Sequence, residues 1–190
     1  MNKQRLVIGI SGASGAVYGV QMLEQLRTLS VETHLVLTQA ARVTAGLELD
    51  CAPEAVEALA DYVHAPDNLA ALIASGSFAT QGMVIAPCSI KTLSAIAHSY
   101  TADLISRAAD VTLKEGRPLV LLVRETPLHL GHLRLMTQAA ELGAVIFPPV
   151  PAFYAQPHTL EDMVAQTVGR VLARLGFPNT LYTVWSEPSA

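Results

Sequence analysis

The stretch Arg5-Leu6-Val7-Ile8-Gly9-Ile10-Ser11-Gly12-Ala13-Ser14-Gly15-Ala16 decides the fold. A short apolar run rich in branched residues breaks into glycines and serines, and an amphipathic stretch follows at once. That is how a buried parallel strand gives way to a helix. Small residues at Gly9, Gly12 and Gly15, with hydroxyls at Ser11 and Ser14, leave room for a ligand against the backbone. N–H groups at a helix start favour a phosphate or an electron-rich ring. The stretch reads as one wall of a nucleotide or flavin site; the alternative is a plain strand-to-helix turn. The dinucleotide fingerprint needs G-x-G-x-x-G. The glycine order here departs from it, so a mononucleotide suits the loop better.

Outward from this loop, the same alternation repeats. Further apolar runs at 33–37, 82–86, 118–123 and 144–147 read as strands. Helices are expected from Gly15 to about Leu29, with Val17, Leu23, Leu26 and Leu29 among the buried positions. More follow at 39–43, from Pro53 to about Val63, at 90–98 behind a Ser89 cap, and at 103–113 behind Asp103. The last two span 128–142 and 159–175. Residues 64–81 carry the weakest pattern, and Ser75-Gly76-Ser77 within them reads as a loop near the carboxyl edge of the sheet. Strands alternating with helices predict an α/β fold, a doubly wound three-layer αβα sandwich on a parallel sheet. Ligands of such folds sit outside the carboxyl ends of the strands. The residues expected there are 12–15, Thr38, 87–92, Arg124-Glu125 and Phe153-Tyr154.

The length of 190 residues suits one domain, 1–190, with a patternless tail from about 176. Hydrophobic residues make up 51% and charged residues 15%, which is apolar for a soluble domain. No apolar run approaches the roughly 20 residues of a membrane span. The excess is therefore expected in subunit contacts. The start, Met1-Asn2-Lys3-Gln4-Arg5, runs straight into a strand without a signal peptide, and Cys51 and Cys88 make no disulfide framework. Both point to the cytoplasm. The formal charge of −4 argues against a general nucleic-acid binder.

Several side chains have the chemistry of a site. Ser89 opens a helix with Lys91 and Thr92 in its first turn, which makes either an anion seat or an ordinary cap. Arg107 and Lys114 are seven apart on one helix and share a face, as phosphate donors or as a solvated pair. Arg124-Glu125 directly follows a buried strand: a planar fork for phosphate beside a carboxylate able to relay a proton. Tyr154 and Arg170 are further donors. His129 and His132 are three apart, but no third ligand stands at a metal-site spacing, so no metal is expected. Cys88 reads as a small buried hydrophobe.

Taken together, Gly9-Ile10-Ser11-Gly12-Ala13-Ser14-Gly15, Pro87-Cys88-Ser89-Ile90-Lys91-Thr92, residues 107–115, Arg117 to Leu121, Val123-Arg124-Glu125-Thr126-Pro127-Leu128 and Pro148 to Tyr154 resemble the flavin prenyltransferases of the UbiX/Pad family, long described as aromatic-acid decarboxylases. The resemblance runs from Leu6 to about Arg174 and implies a Rossmann-like flavoprotein fold. It implies transfer of the dimethylallyl group of dimethylallyl phosphate to N5 and C6 of reduced FMN, without metal, in a homo-dodecamer. The product, prenylated FMN, would serve a UbiD-type decarboxylase. Matched residue by residue, Gly12, Ala13, Ser14, Thr38, Ser89, Ile90, Lys91, Thr92 and Arg124 would hold the flavin. Ser14 and Glu48 would stand at its reacting edge. Arg107, Lys114, Arg124, Tyr154 and Arg170 would surround the prenyl phosphate, with Glu125 as proton relay and Lys114 among the catalytic groups. Gly116 stands where relatives often have Arg, and Ala155 where His is common. Residues 64–75 lack a Trp that some relatives place near the prenyl group. A self-sufficient FMN-dependent decarboxylase and a non-catalytic flavin carrier are the rival functions.

Overall fold

The computed structural model describes residues 3–186; the end of the expected tail lies outside them. Six strands form one all-parallel sheet: β1 (Arg5–Ile10), β2 (Glu32–Leu37), β3 (Tyr62–His64), β4 (Met83–Cys88), β5 (Leu119–Val123) and β6 (Val145–Ile146). Their order across the sheet is β3-β2-β1-β4-β5-β6. Val7 of β1 stands opposite both His34 and Met83. The winding therefore reverses between β1 and β4, and a crevice opens above their carboxyl ends.

The strands are continuously apolar because both faces of the sheet are covered. Leu6, Ile8, Ile10, Val84, Ala86, Val120 and Leu122 face α1 (Ala16–Thr28) and α7 (Leu160–Arg174). Val7, Met83, Ile85, Leu119, Leu121 and Val123 face α4 (Ile90–Ala97), α5 (Leu104–Lys114) and α6 (Leu130–Glu141). The doubly wound αβα architecture expected from the sequence is thus the one observed. Helix starts fall where polar caps stand. Ser89 accepts from the Thr92 amide, and Asp103 and Thr159 each form a reciprocal capping box.

Three expectations need correction. Val17 is exposed, because the buried face of α1 is set by Ala16, Gly19, Met22, Leu23 and Leu26; Leu29 is only partly buried. The helix expected from Pro53 to about Val63 stops early, as α3 (Pro53–Glu57). The Asp61 carboxylate then accepts from the Thr33 amide at 2.8 Å, and Tyr62–His64 pairs with β2 as an edge strand. The short helix expected to start at 39–43 is α2 (Gln39–Glu48), which brings Glu48 to its last turn. Residues 75–77 lie at the amino edge of the sheet, not the carboxyl edge. The Gly76 carbonyl accepts from Arg117, which immediately precedes β5.

Candidate functional site

At the reversal between β1 and β4, one serine ties the two strand ends together. Ser11 is buried; its hydroxyl donates to the Pro87 carbonyl at 2.9 Å and accepts from the Ser89 amide at 2.8 Å. The first loop is thereby fixed against the start of α4. Beyond Ser11 the chain enters α1 through Gly15 at φ +106°, a conformation L side chains rarely adopt. The gap at Gly12 has a different cause. A Cβ there would meet the Ala40 methyl at 2.4 Å, so α2 packs into it. Thr38 caps α2 by accepting from the Ala41 amide at 3.1 Å.

The amides at the start of α1 are not free for a phosphate. Glu48 reaches over from the end of α2, and one carboxylate oxygen accepts from Gly15 N at 2.8 Å and from Ala16 N at 3.2 Å. Burial pushes the Glu48 carboxyl up, but it is outweighed by hydrogen bonds from the Ser14 hydroxyl and these two amides and by the charge of Arg124. The carboxyl is held below its ordinary value and is ionised at neutral pH. A negative charge on a helix N-terminus also complements the dipole.

A cavity of about 470 Å³ opens beside this loop. Gly12, Thr38, Ser89, Ile90, Lys91, Thr92 and Glu125 line it, as the sequence reading placed them at one edge. Pro66, Ala95 and Asp103 also line it, although nothing in their spacing marked them. Lys91, Ala95 and Asp103 border a second cavity as well, about 790 Å³, between α4 and the start of α5. Volumes of roughly 300–1,000 Å³ suit a small ligand. The larger cavity is not the chemical centre: the loops at the carboxyl ends of the strands and the capped start of α4 line the smaller one. With hydroxyls at Thr38, Ser89 and Thr92 and the N-terminus of α4 for a phosphate, these residues fit FMN.

Arg124 follows β5, where its amide donates to the Cys88 carbonyl at 3.2 Å, and its charge acts on both Glu48 and Tyr18. Glu125 accepts from the Thr126 amide at 3.0 Å. The other residues matched to the prenyl phosphate are not gathered here. Arg107 and Lys114 lie along α5, which starts at the cavity with Asp103 and runs away to the amino edge. Arg170 is exposed on α7, on the opposite face of the sheet. The Tyr154 hydroxyl is engaged by Thr183 and Gln166 in the tail and α7. One chain therefore brings Gly12, Thr38, residues 89–92 and Glu125 around one cavity, links Ser14, Glu48 and Arg124 beside the same loop, and leaves Arg107, Lys114, Tyr154 and Arg170 away from both.

Three further side chains are accounted for. Cys88 is fully buried, and burial pushes its thiol far up, so it packs as a hydrophobe. The His129 and His132 rings face each other with centroids 3.6 Å apart. Among the described residues no group of three His, Cys, Asp or Glu side chains is placed to hold a metal ion. No described helix is long and apolar enough to cross a membrane.

Comparison with known proteins gives the family. The Flavoprotein family model matches residues 1–171. The chain is 63% identical over 185 residues to the flavin prenyltransferase UbiX of Escherichia coli K12, covering 96% of this chain and 98% of that one. It is 54% identical over 182 residues to UbiX of Thauera aromatica, covering 96% and 94%. The crystal structure of AnUbiX (PadA1) in complex with FMN and dimethylallyl pyrophosphate superposes with a TM-score of 0.97 at 48% identity, covering 99% of this chain and 100% of that one. A dodecameric FMN-dependent UbiX-like decarboxylase from Escherichia coli O157:H7 gives 0.94 at 46% identity, covering 96% and 100%. With its switch-point cradle and matches of this extent, the chain belongs to the UbiX family of flavin prenyltransferases, among the flavoproteins.

Proposed function

We propose that this chain joins the dimethylallyl group of dimethylallyl phosphate to N5 and C6 of reduced FMN, and releases prenylated FMN for a UbiD-type decarboxylase in the cytoplasm. The observation that carries this reading is the Glu48 carboxylate, seated on two amides of the loop wall beside Ser14 and within the field of Arg124. A carrier that only holds FMN needs no ionised carboxylate at that wall. A single flavoprotein domain spanning 1–190 accounts for the one continuous sheet.

The chain's residues divide the work by chemistry. Thr38, Ser89, Ile90, Lys91 and Thr92 bind and orient the flavin, and Gly12 and Ala13 form the wall against its ring. Reduced FMN supplies the nucleophile when bound. Burying five carbons of a dimethylallyl group contributes about 4 kcal/mol at roughly 0.8 per carbon, which alone corresponds to about millimolar affinity. The phosphate must therefore anchor the donor. Arg124, next in the chain to the cavity-lining Glu125, offers a bidentate fork, and the same fixed charge stabilises phosphate as the C–O bond breaks. Glu125 beside it relays a proton. Ser14 and Glu48 accept the proton leaving the reacting flavin edge, for which an ionised carboxylate is in the right state. Excluding water keeps the allylic fragment from being quenched.

Arg107, Lys114, Tyr154 and Arg170 complete the phosphate site from neighbouring copies. Apolar side chains left exposed across the surface, among them Leu47, Tyr100, Val150, Phe153 and Trp185, provide the contact area for a homo-dodecamer. The test is to mix the protein anaerobically with reduced FMN and dimethylallyl phosphate and weigh the flavin. A gain of one prenyl unit is expected; unmodified FMN contradicts the reading and favours a carrier, and carbon dioxide release from an aromatic acid with this protein alone favours a decarboxylase.

A further inference from the structure

The end of α5 is built with unusual care for an exposed turn. Gly116 N donates to the Leu113 carbonyl at 2.9 Å and Arg117 N to the Thr112 carbonyl at 2.9 Å, with Gly116 at φ +66°. That is a Schellman stop, which the Gly at 116 permits. Lys114 in the last turn complements the helix dipole; Glu115, an anion at the same end, opposes it. Glu115 is therefore not there for the helix. Its carboxylate accepts from Lys114 Nζ at 2.5 Å.

The Ser75–Ser77 loop is pressed onto this pair. A Cβ on Gly76 would fall 2.0 Å from Glu115 Oε1 and 2.8 Å from Lys114 Nζ. The loop is held there from behind. Arg117 donates to the Gly76 carbonyl at 2.7 Å and the Phe78 carbonyl at 2.9 Å, and Arg107 donates to the Ala74 carbonyl at 3.3 Å. The lysine side chain remains about half exposed, at 48%.

We propose that Glu115 is the resident counter-ion of Lys114: a positioning residue that holds the ammonium against the Gly76 backbone and competes for it with the donor's phosphate and with released inorganic phosphate. The proposal rests on Lys114 being a ligand of the donor phosphate. No bond forms or breaks at Glu115. The ammonium exchanges one carboxylate for a phosphate dianion when the donor binds, and returns to the carboxylate as inorganic phosphate departs. An exposed ion pair is weak enough to be displaced in this way and strong enough to matter for release.

The experiment titrates inorganic phosphate into the flavin-loaded protein by phosphorus NMR and measures donor KM in parallel. E115Q keeps the size of the side chain and removes its charge. It is expected to tighten phosphate binding and lower donor KM by about two- to fivefold, the scale of an exposed ion pair. E115A is expected to shift both in the same direction, E115D to restore wild-type values, and K114A to abolish the difference between Glu and Gln at 115. Phosphate binding that is unchanged or weaker in both E115Q and E115A overturns the proposal. Failure of the wild type to prenylate flavin overturns the functional reading instead, and leaves the phosphate titration to decide the Glu115 question on its own.

Discussion

Ser11 and Glu48 do more than their residue types announce. Ser11 uses its hydroxyl twice, to Pro87 and Ser89, and so fixes the distance between the flavin wall and the capped start of α4. Ser11→Ala leaves the buried Pro87 carbonyl and the partly buried Ser89 amide without this partner. Loss of a buried hydrogen bond predicts destabilisation by about 1–3 kcal/mol, read from the denaturant midpoint, together with weaker FMN binding. Unchanged stability and affinity would show that the two loops are held by other contacts. From residue types alone, Ser11 was one hydroxyl among several in a turn. Glu48 read only as the start of a loop, and its assignment to the site came from family resemblance. Neither role has a local signal, because each partner comes from a distant part of the chain.

At the scale of elements, the sequence was most legible where periodicity and capping agree. The β1 turn, the Ser89 and Asp103 caps and the start of α7 at Thr159 stand where they were expected. It was least legible at β3, whose three residues are too few to show alternation and whose pairing with β2 is tertiary. That short edge strand is secured by side chains. His34 Nδ1 and His64 Nε2 are 3.0 Å apart, His34 Nε2 and Glu32 Oε1 are 3.1 Å apart, and the Tyr62 ring stacks on His34. Burial holds both imidazoles below their ordinary value. A depressed histidine favours the neutral form in the fold, so its stabilising contribution is full above the unfolded value near 6.5 and declines as pH falls through the folded one. Stability is therefore expected to decrease on acidification below about pH 6.5, with a shallower slope in His64→Gln. Equal slopes in thermal melts of the two proteins would remove these histidines from the account.

For the whole molecule, the fold and the cavity at the switch point were readable because strand ends converge within one chain. The proposed phosphate site was legible only as a set of residues, not as a place. Arg107 and Lys114 lie on α5, and Arg170 lies on α7 across the sheet. A site that uses all of them has to be completed by other copies. Spacing along one chain carries no record of symmetry between chains. Lys114→Ala and Arg170→Ala chains each lack one donor, and each homo-oligomer is expected to be strongly impaired, since a lost charged hydrogen bond of about 1.5–3 kcal/mol corresponds to roughly tenfold or more in rate. The decisive measurement is to dissociate the two variants, reassemble them together, and follow prenyl addition to reduced FMN by flavin mass. Recovery of activity in the mixed assembly, to the fraction expected from random mixing of chains, is the predicted result. A mixture no more active than either variant alone would contradict a prenyl-transfer site assembled between copies.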